Sequence, residues 1–452
     1  MLVVLIGALL PITACVLVLL LLPSRYDPKR SRGSSVQILV LGDIGHSPRM
    51  QYHALSIAKH GGHVSLVGYT NSALHPDLVD NPQVSVVPLT PPPGILQTRN
   101  RYLFPVVAAL KILHQSWCLW VALGYRSRPC KWMIVQNPPS APTLVMAQLI
   151  CVLRLTHLII DWHNFGYSIL ALKLGNSHPM VRINRHHESL MSYFATAHFC
   201  VSNAMARQLR DDMKIKSPIL VLHDRPPSLF KPITNDKEKF EFLSSLPETT
   251  QFVKGMMTGR CRLLVSSTSW TPDEDFSLLI DALCRYSDIA TTTNESLPFI
   301  GVIITGKGPQ RQMYLSKIAT LMAEGKLDKV TIKSAWLSLE NYARLLASAS
   351  LGVCLHTSSS GVDLPMKVVD MFGAGLPVTG WNKYEAWPEL VTEGVNGLGF
   401  GSADELLDQL LDLFGGDTKK IDTLRQGALL ESRRRWDEEW DPIAGELLGL
   451  TR

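Results

Sequence analysis

The chain has 452 residues, 46% of them hydrophobic and 18% charged; this excludes an intrinsically disordered protein and leaves material for two domains with their own cores. A formal net charge of +5 suits an anionic ligand or a membrane surface but falls short of the dense basic stripe of a nucleic-acid binder, so no nucleic acid is expected. Eight cysteines, none in a C-x-x-C pair and several inside apolar runs, read as reduced core thiols; that pattern disfavours a disulfide framework or zinc site and points to a reducing compartment.

Leu2 to Leu22 carries no charged residue, and at about 1.5 Å per residue it matches the hydrocarbon thickness of a bilayer. A cleaved signal peptide would want a positive n-region, which is missing, so an uncleaved transmembrane anchor over 1–24 is expected. Arg25, Lys29, Arg30 and Arg32 follow in a linker over 25–35. The positive-inside rule then places the N-terminus in a lumen and the body in the cytosol, where the triplet Asn294-Glu295-Ser296 would go unglycosylated.

A strand over 36–41, a turn at Gly42–His46, a helix over 49–60 stopped by Gly61-Gly62, and a strand over 63–69 form one β-α-β unit. Strands over 132–136, 157–161, 198–201 and 219–222, with helices near 142–153 and 183–195, continue the pattern to the end of a first domain at 36–225. The apolar stretches 103–123 and 141–160 are interrupted by Lys111, His114, Arg154 and His157. They are expected as buried helices and strands rather than further spans, a part of them dipping into the membrane interface. Residues 226–260 open with three prolines and show few periodic apolar positions, so a connection with a flexible insertion is expected. The second domain, 261–430, alternates strands over 263–267, 299–305, 330–333, 351–356 and 377–379 with helices. A terminal helix over 431–452 is expected, packed across the domain junction or solvated. The whole predicts α/β architecture: two Rossmann-like, doubly wound parallel-sheet domains behind one N-terminal transmembrane helix, with a ligand crevice at the carboxyl ends of the strands.

Two stretches carry chemistry. Gly306-Lys307-Gly308-Pro309 follows a β-branched strand; Gly306 and Gly308 let backbone N–H groups approach a diphosphate, and Lys307 adds charge, although a tight β-α turn needs the same glycines. Ser358 to Val378 reads as a Ser/Gly loop, a helix and a strand entry, and it includes Ser359, Gly361, Asp363, Lys367 and Asp370. Asp363 and Asp370, seven apart, share a helix face if the helix starts early enough, and their carboxylates could accept hydrogen bonds from sugar hydroxyls.

This segment resembles the nucleotide-sugar segment of glycosyltransferases of the GT-B fold, and Ser202–Leu209 fits the same fold. In that family a carboxylate of the helix holds the donor ribose; Asp370 takes that place by its spacing from Pro365, while the acidic position eight earlier is Val362, with Asp363 next to it. Together with VLGDIGHSPRMQYHALSIAKHGGHVSLVGY and IIDWHNFGYSIL, the pattern is similar, over nearly the whole body, to the chitobiosyldiphosphodolichol β-mannosyltransferase family. The resemblance implies GDP-mannose as donor, a dolichol-linked chitobiose acceptor, a β-1,4 linkage formed with inversion, and the cytosolic face of the endoplasmic reticulum membrane. It also leaves room for a complex with other early dolichol-pathway mannosyltransferases. No Asp-x-Asp motif is present, so no tightly held metal or cofactor is expected beyond Mg²⁺ carried on the GDP-mannose diphosphate. His186-His187-Glu188, adjacent on a helix, cannot chelate together.

The first domain should then hold the acceptor and a base. Candidates are His46 and Asp43 in the Gly-rich turn, and Asp161 and His163 in Asp-Trp-His-Asn164; His46 is favoured because loop histidines titrate near neutrality. Two other readings stay open: another lipid-linked-sugar transferase on this fold, and an inactive membrane-tethered scaffold. A nucleotide-dependent oxidoreductase is disfavoured, since the first turn lacks G-x-G-x-x-G.

Overall fold

The computed structural model describes residues 23–29, 34–96, 100, 102–416 and 418–451. The expected anchor over 1–24, apart from its last two residues, lies outside the described residues, as do Arg30 and Arg32. The chain forms two compact units: one made of residues up to Cys200 with 206–222 and 440–452, the other of 201–205 with 223–439.

In the first unit, seven parallel strands are ordered β3-β2-β1-β4-β5-β6-β7. They are β1 (Ser35–Asp43), β2 (His63–Tyr69), β3 (Val84–Pro88), β4 (Trp132–Asn137), β5 (His157–Trp162), β6 (Ala197–Cys200) and β7 (Ile219–Val221). Strand β1 buries Val36 and Ile38 to Leu41 on both faces; such a strand has helices above and below it, which is why its sequence is a continuous apolar run rather than an alternation. Helix α1 (Pro48–Lys59) follows β1, and β4 carries the chain to the other side of it. The order therefore reverses between β1 and β4, the place where open α/β sheets bind their ligands.

The second unit has six parallel strands ordered β10-β9-β8-β11-β12-β13: β8 (Cys261–Ser267), β9 (Phe299–Thr305), β10 (Val330–Ala335), β11 (Leu351–Cys354), β12 (Val378–Trp381) and β13 (Gly397–Phe400). Its reversal lies between β8 and β11. Leu264, Val302, Ile304, Leu351 and Val353 pack against Phe276, Leu283 and Tyr286 of the helix Phe276–Thr292, each buried side chain contributing roughly 1.5–3 kcal/mol. That helix starts where it does because Asp275 accepts the backbone N–H of Ser277.

Three expectations change. Residues 226–260 hold helices Asp236–Ser245 and Thr250–Met257, which bury Phe242, Leu243, Phe252 and Val253; the segment is built into the second unit and is no flexible insertion. The terminal stretch is broken into Trp436–Trp440, a π turn over Asp441–Gly445 and a last turn Glu446–Leu448, and Trp440 is fully buried in the first unit, its indole N–H donating to His53 Nδ1. Third, the helix α2 (Phe104–Val121) was expected to be buried, yet Leu119 is its only buried apolar side chain among the described residues, and Val106, Leu110, Ile112, Leu113 and Trp117 are exposed. The stretch 141–160 does pack inward, through Leu144, Ala147, Ile150 and Ile159 to Ile160.

Candidate active site

In the first unit, two aspartate–histidine pairs stand at the carboxyl ends of strands near the reversal. Asp43 ends β1, and the 3₁₀ turn Ile44–His46 follows. Asp43 accepts the backbone N–H groups of Asn71 and Ser72. Burial works against its charge, but the hydrogen bonds from Ser72 and Asn71 win and lower its pKa. His46 Nδ1 lies 3.2 Å from the Asp43 carboxylate, and its ring is 79% exposed. A carboxylate only accepts, so Nδ1 carries the hydrogen; Nε2, 3.3 Å from Ser72 Oγ, keeps its lone pair.

The second pair is built differently. Asp161, on β5, is fully buried and takes hydrogen bonds from Arg49 Nε (2.9 Å), His53 Nε2 (3.2 Å) and His163 Nε2 (3.1 Å). Burial alone would keep it protonated, but Arg49, His163 and His53 together hold its carboxyl well below the usual carboxylate range. Arg49 and His53 sit four apart on α1 and so face the same way. Trp440 fixes the His53 tautomer by donating to Nδ1, and burial lowers the pKa of that ring, keeping it neutral. His163, 24% exposed, spends Nε2–H on Asp161, which leaves Nδ1 as its proton acceptor. Sequence reading named Asp43, His46, Asp161 and His163 but missed Arg49 and His53; the only signal was a charged and a titratable side chain four apart on an otherwise core-facing helix stripe.

The His186-His187-Glu188 run is structural. Buried Glu188 accepts from the Asn137 amide and from the backbone N–H groups of Gly166 and Tyr167, capping the helix Gly166–Leu174. A cavity of roughly 700 Å³ lined by Arg25, Tyr26, His63, Ser85 and Arg128 lies at the amino ends of β1–β3, away from both pairs.

In the second unit, the loops after β8, β9 and β11 converge. A Cβ on Gly306 would meet Thr268 O at 1.8 Å, and one on Gly308 would meet Ser269 O at 1.7 Å; the two glycines are required by this close loop-to-loop approach, and Gly306 also has φ +136°. The following helix begins only at Arg311. Lys307 Nζ rests 4.1 Å from the centre of the Trp336 ring, a cation–π contact that parks the charge at an exposed position. Glu274, unremarked in the sequence because it lies in a polar run, is the organiser: buried, it accepts from Thr268 Oγ1 (2.6 Å) and Ser269 N (2.8 Å) and pairs with Lys367.

Asp363 corrects one expectation. The helix starts at Met366, so Asp363 is in the loop and shares no helix face with Asp370. Its carboxylate is occupied by Ser358, by Ser360 (2.9 Å) and by His356 (3.3 Å). Burial opposes its charge, and His356 with the two serines lowers its pKa nonetheless. Gly361 in this loop has φ +77°, a conformation open to glycine; Ser359 lies beside it. Asp370 is the contrast: burial and the nearby Asp224 carboxylate push it up to about 8. It also raises the pKa of half-buried Tyr342, after desolvation itself, whose hydroxyl bonds Ser267 Oγ at the end of β8 (2.8 Å). Gly306, Lys307, Gly308, Lys367 and Asp370 are thus gathered around the ends of β8, β9 and β11.

No family model matches the chain. It is 58% identical over 434 residues to a protein of Arthroderma benhamiae named chitobiosyldiphosphodolichol beta-mannosyltransferase, covering 95% of each chain. A Homo sapiens protein of the same name is 37% identical over 464 residues, covering 96% of this chain and 97% of that one. Among solved structures, Anabaena HepE in complex with UDP and glucose superposes with a TM-score of 0.60 at 16% identity, over 92% of this chain and 99% of that one, a likeness of fold. With two doubly wound sheets of GT-B type and relatives this similar along both units, the chain belongs to the chitobiosyldiphosphodolichol beta-mannosyltransferase family of glycosyltransferases.

Proposed function

We propose that this chain transfers mannose from GDP-mannose to the chitobiosyl unit of a dolichol diphosphate, forming a β-1,4 linkage with inversion. The observation that carries the reading is the 58% identity over 95% of the chain to a relative named for that transfer. In the step, the acceptor 4-hydroxyl oxygen attacks the anomeric carbon and its proton passes to His46 Nε2. The bond from that carbon to the diphosphate breaks, and GDP leaves. Asp43 holds the other ring nitrogen and stabilises the imidazolium. His163, backed by Asp161, is the rival base, but its carboxylate is already matched by Arg49 and so gives the ring less support.

On the donor side, Lys307 and the backbone N–H groups of Lys307 and Gly308 face the diphosphate, and Asp370 accepts from the ribose hydroxyls. Asp363 and Lys367, through Glu274, shape the loop around Ser359 and Gly361 rather than carry the sugar. Any Mg²⁺ would enter with the diphosphate as part of the substrate. The apolar segment Leu2–Leu22 and the cations after it support a membrane anchor with a cytosolic body; the endoplasmic reticulum, and a place beside other early mannosyltransferases of the dolichol pathway, are read from the family.

The test uses the full chain in detergent with radiolabelled GDP-mannose and a phytanyl-diphosphate chitobiose acceptor. A labelled trisaccharide lipid that β-mannosidase cleaves is expected. Transfer from UDP-N-acetylglucosamine instead, or a product resistant to β-mannosidase, would overturn the reading, and absence of any transfer would favour a scaffold.

A further inference from the structure

Trp336 stands in the second unit directly after β10, at the carboxyl end of the sheet, where the turn Gly306–Pro309 follows β9. The backbone ties the two loops together. β9 and β10 run in register up to the pair Thr305 and Ala335, and Gly306 N donates to Ala335 O. The indole is 64% exposed. Among the described residues of the second unit it is the only Trp, Tyr or Phe side chain left so open; Trp270, Trp381, Trp387 and Trp436 are buried or half-buried. Burying an indole is among the larger stabilising contributions one side chain can make, and here the fold forgoes it.

The exposed ring is nevertheless held on a rigid base. Ala335 before it is buried and paired with β9. After it, Ser338 Oγ accepts the N–H of Asn341 and caps the helix Leu339–Ser348. The loop is therefore fixed at both ends. Lys307 is placed as firmly, between Gly306 at φ +136° and Gly308 pressed against Ser269. Its ammonium rests 4.1 Å from the centre of the ring, an attraction between a cation and the electron-rich indole face.

The same helix connects this ring to Asp370. Tyr342, in its first turns, bonds Ser267 Oγ at the end of β8 and lies close enough to Asp370 to feel its charge. The loops thus present a flat aromatic face, a carboxyl and an ammonium on one side of the second unit. A nucleoside diphosphate has three parts that answer them in turn: a planar base for the indole, ribose hydroxyls for the carboxyl and phosphates for the ammonium. A hexose has no planar π face, and a two-ring purine covers more of an indole than a pyrimidine does.

We propose that the Trp336 indole is the platform on which the purine base of the donor nucleotide stacks, while Lys307 leaves the ring for the diphosphate. This rests on the donor site proposed above and adds a residue that favours a purine over a pyrimidine nucleotide. GDP, UDP and inorganic diphosphate are titrated by calorimetry into the full chain in detergent, and the parent should bind GDP more tightly than UDP. Trp336→Ala should bind GDP about tenfold more weakly, lose less for UDP and bind inorganic diphosphate as the parent does. Trp336→Phe should keep most of the GDP affinity, and both variants should melt with the parent, since the ring supports no core. Four results would overturn the platform: parental GDP affinity in Trp336→Ala, equal losses for GDP and UDP, loss of inorganic diphosphate binding, or a parent that does not bind GDP. Weaker binding of GDP-mannose with GDP unchanged would assign the ring to the sugar instead and equally overturn it. GDP binding that depends on Trp336 in a chain that transfers no mannose strikes the transfer reaction alone. Mannose transfer by a Trp336→Ala chain that binds GDP as the parent does strikes the platform alone.

Discussion

Asp161 in the first unit and Asp370 in the second are both shielded acids in a candidate site, and the fold treats them oppositely. Asp161 is met by a guanidinium and two imidazoles and stays ionised. Asp370 is given no cation, has Asp224 beside it, and holds its proton to about 8. A buried charge is tolerable when matched and otherwise neutralises. The difference teaches that the fold matches one acid with cations of its own and leaves the other to hold its proton, the state from which, under the function proposed above, Asp370 would meet the hydroxyls of a nucleotide sugar.

The largest expected effect breaks the first half of that comparison at its working end. His46→Ala should cut kcat by about 10²–10⁴ with GDP binding intact, while His163→Ala costs far less; steady-state kinetics with both variants decides between the pairs, and near-normal turnover of His46→Ala would remove it as the base. Next, Arg49→Met leaves Asp161 buried without its guanidinium and should cost about 3–5 kcal/mol, read by denaturant unfolding; a loss under 1 kcal/mol would mean that the histidines alone suffice.

Asp370→Asn sharpens the second half. The folded chain holds the Asp370 proton to about 8, whereas an unfolded aspartate releases it near 4. Its contribution to stability is therefore complete below pH 4 and is lost as pH rises toward 8. The asparagine variant should melt close to the parent at pH 5 and several degrees above it at pH 8.5, at about 2–4 °C per kcal/mol. The smallest effect belongs to Lys307→Ala, which should weaken GDP binding about tenfold by removing one exposed cation, read by calorimetry.

Much of the fold was legible because parallel strands buried on both faces leave continuous apolar runs, as Val36–Leu41 and Phe299–Thr305 do. Strand β13 was not, since Gly397-Leu-Gly-Phe400 carries too little β signal to stand out. The helices at 236–257 escaped because only four of their residues, Phe242, Leu243, Phe252 and Val253, are buried, too few to mark a period. The outward turn of α2 was hidden for the opposite reason: a helix apolar all round looks the same buried in protein or lying on lipid. At the site, short-range motifs such as Gly306-Lys-Gly308 and Asp43–His46 could be read, while partners far along the chain could not. Arg49 and Asp161 are 112 residues apart, and Glu274 and Lys367 are 93 apart; only the sheet topology joins them.

The contrast between the two acids is tested most directly by calorimetric titration of GDP-mannose into the full chain at pH 7, in buffers of different ionisation enthalpy. If Asp370 gives up its proton to take the ribose hydroxyls, binding should release close to one proton per site, and Asp370→Asn should bind more weakly with no release. Equal affinity and equal proton release in both proteins would contradict the donor site proposed above.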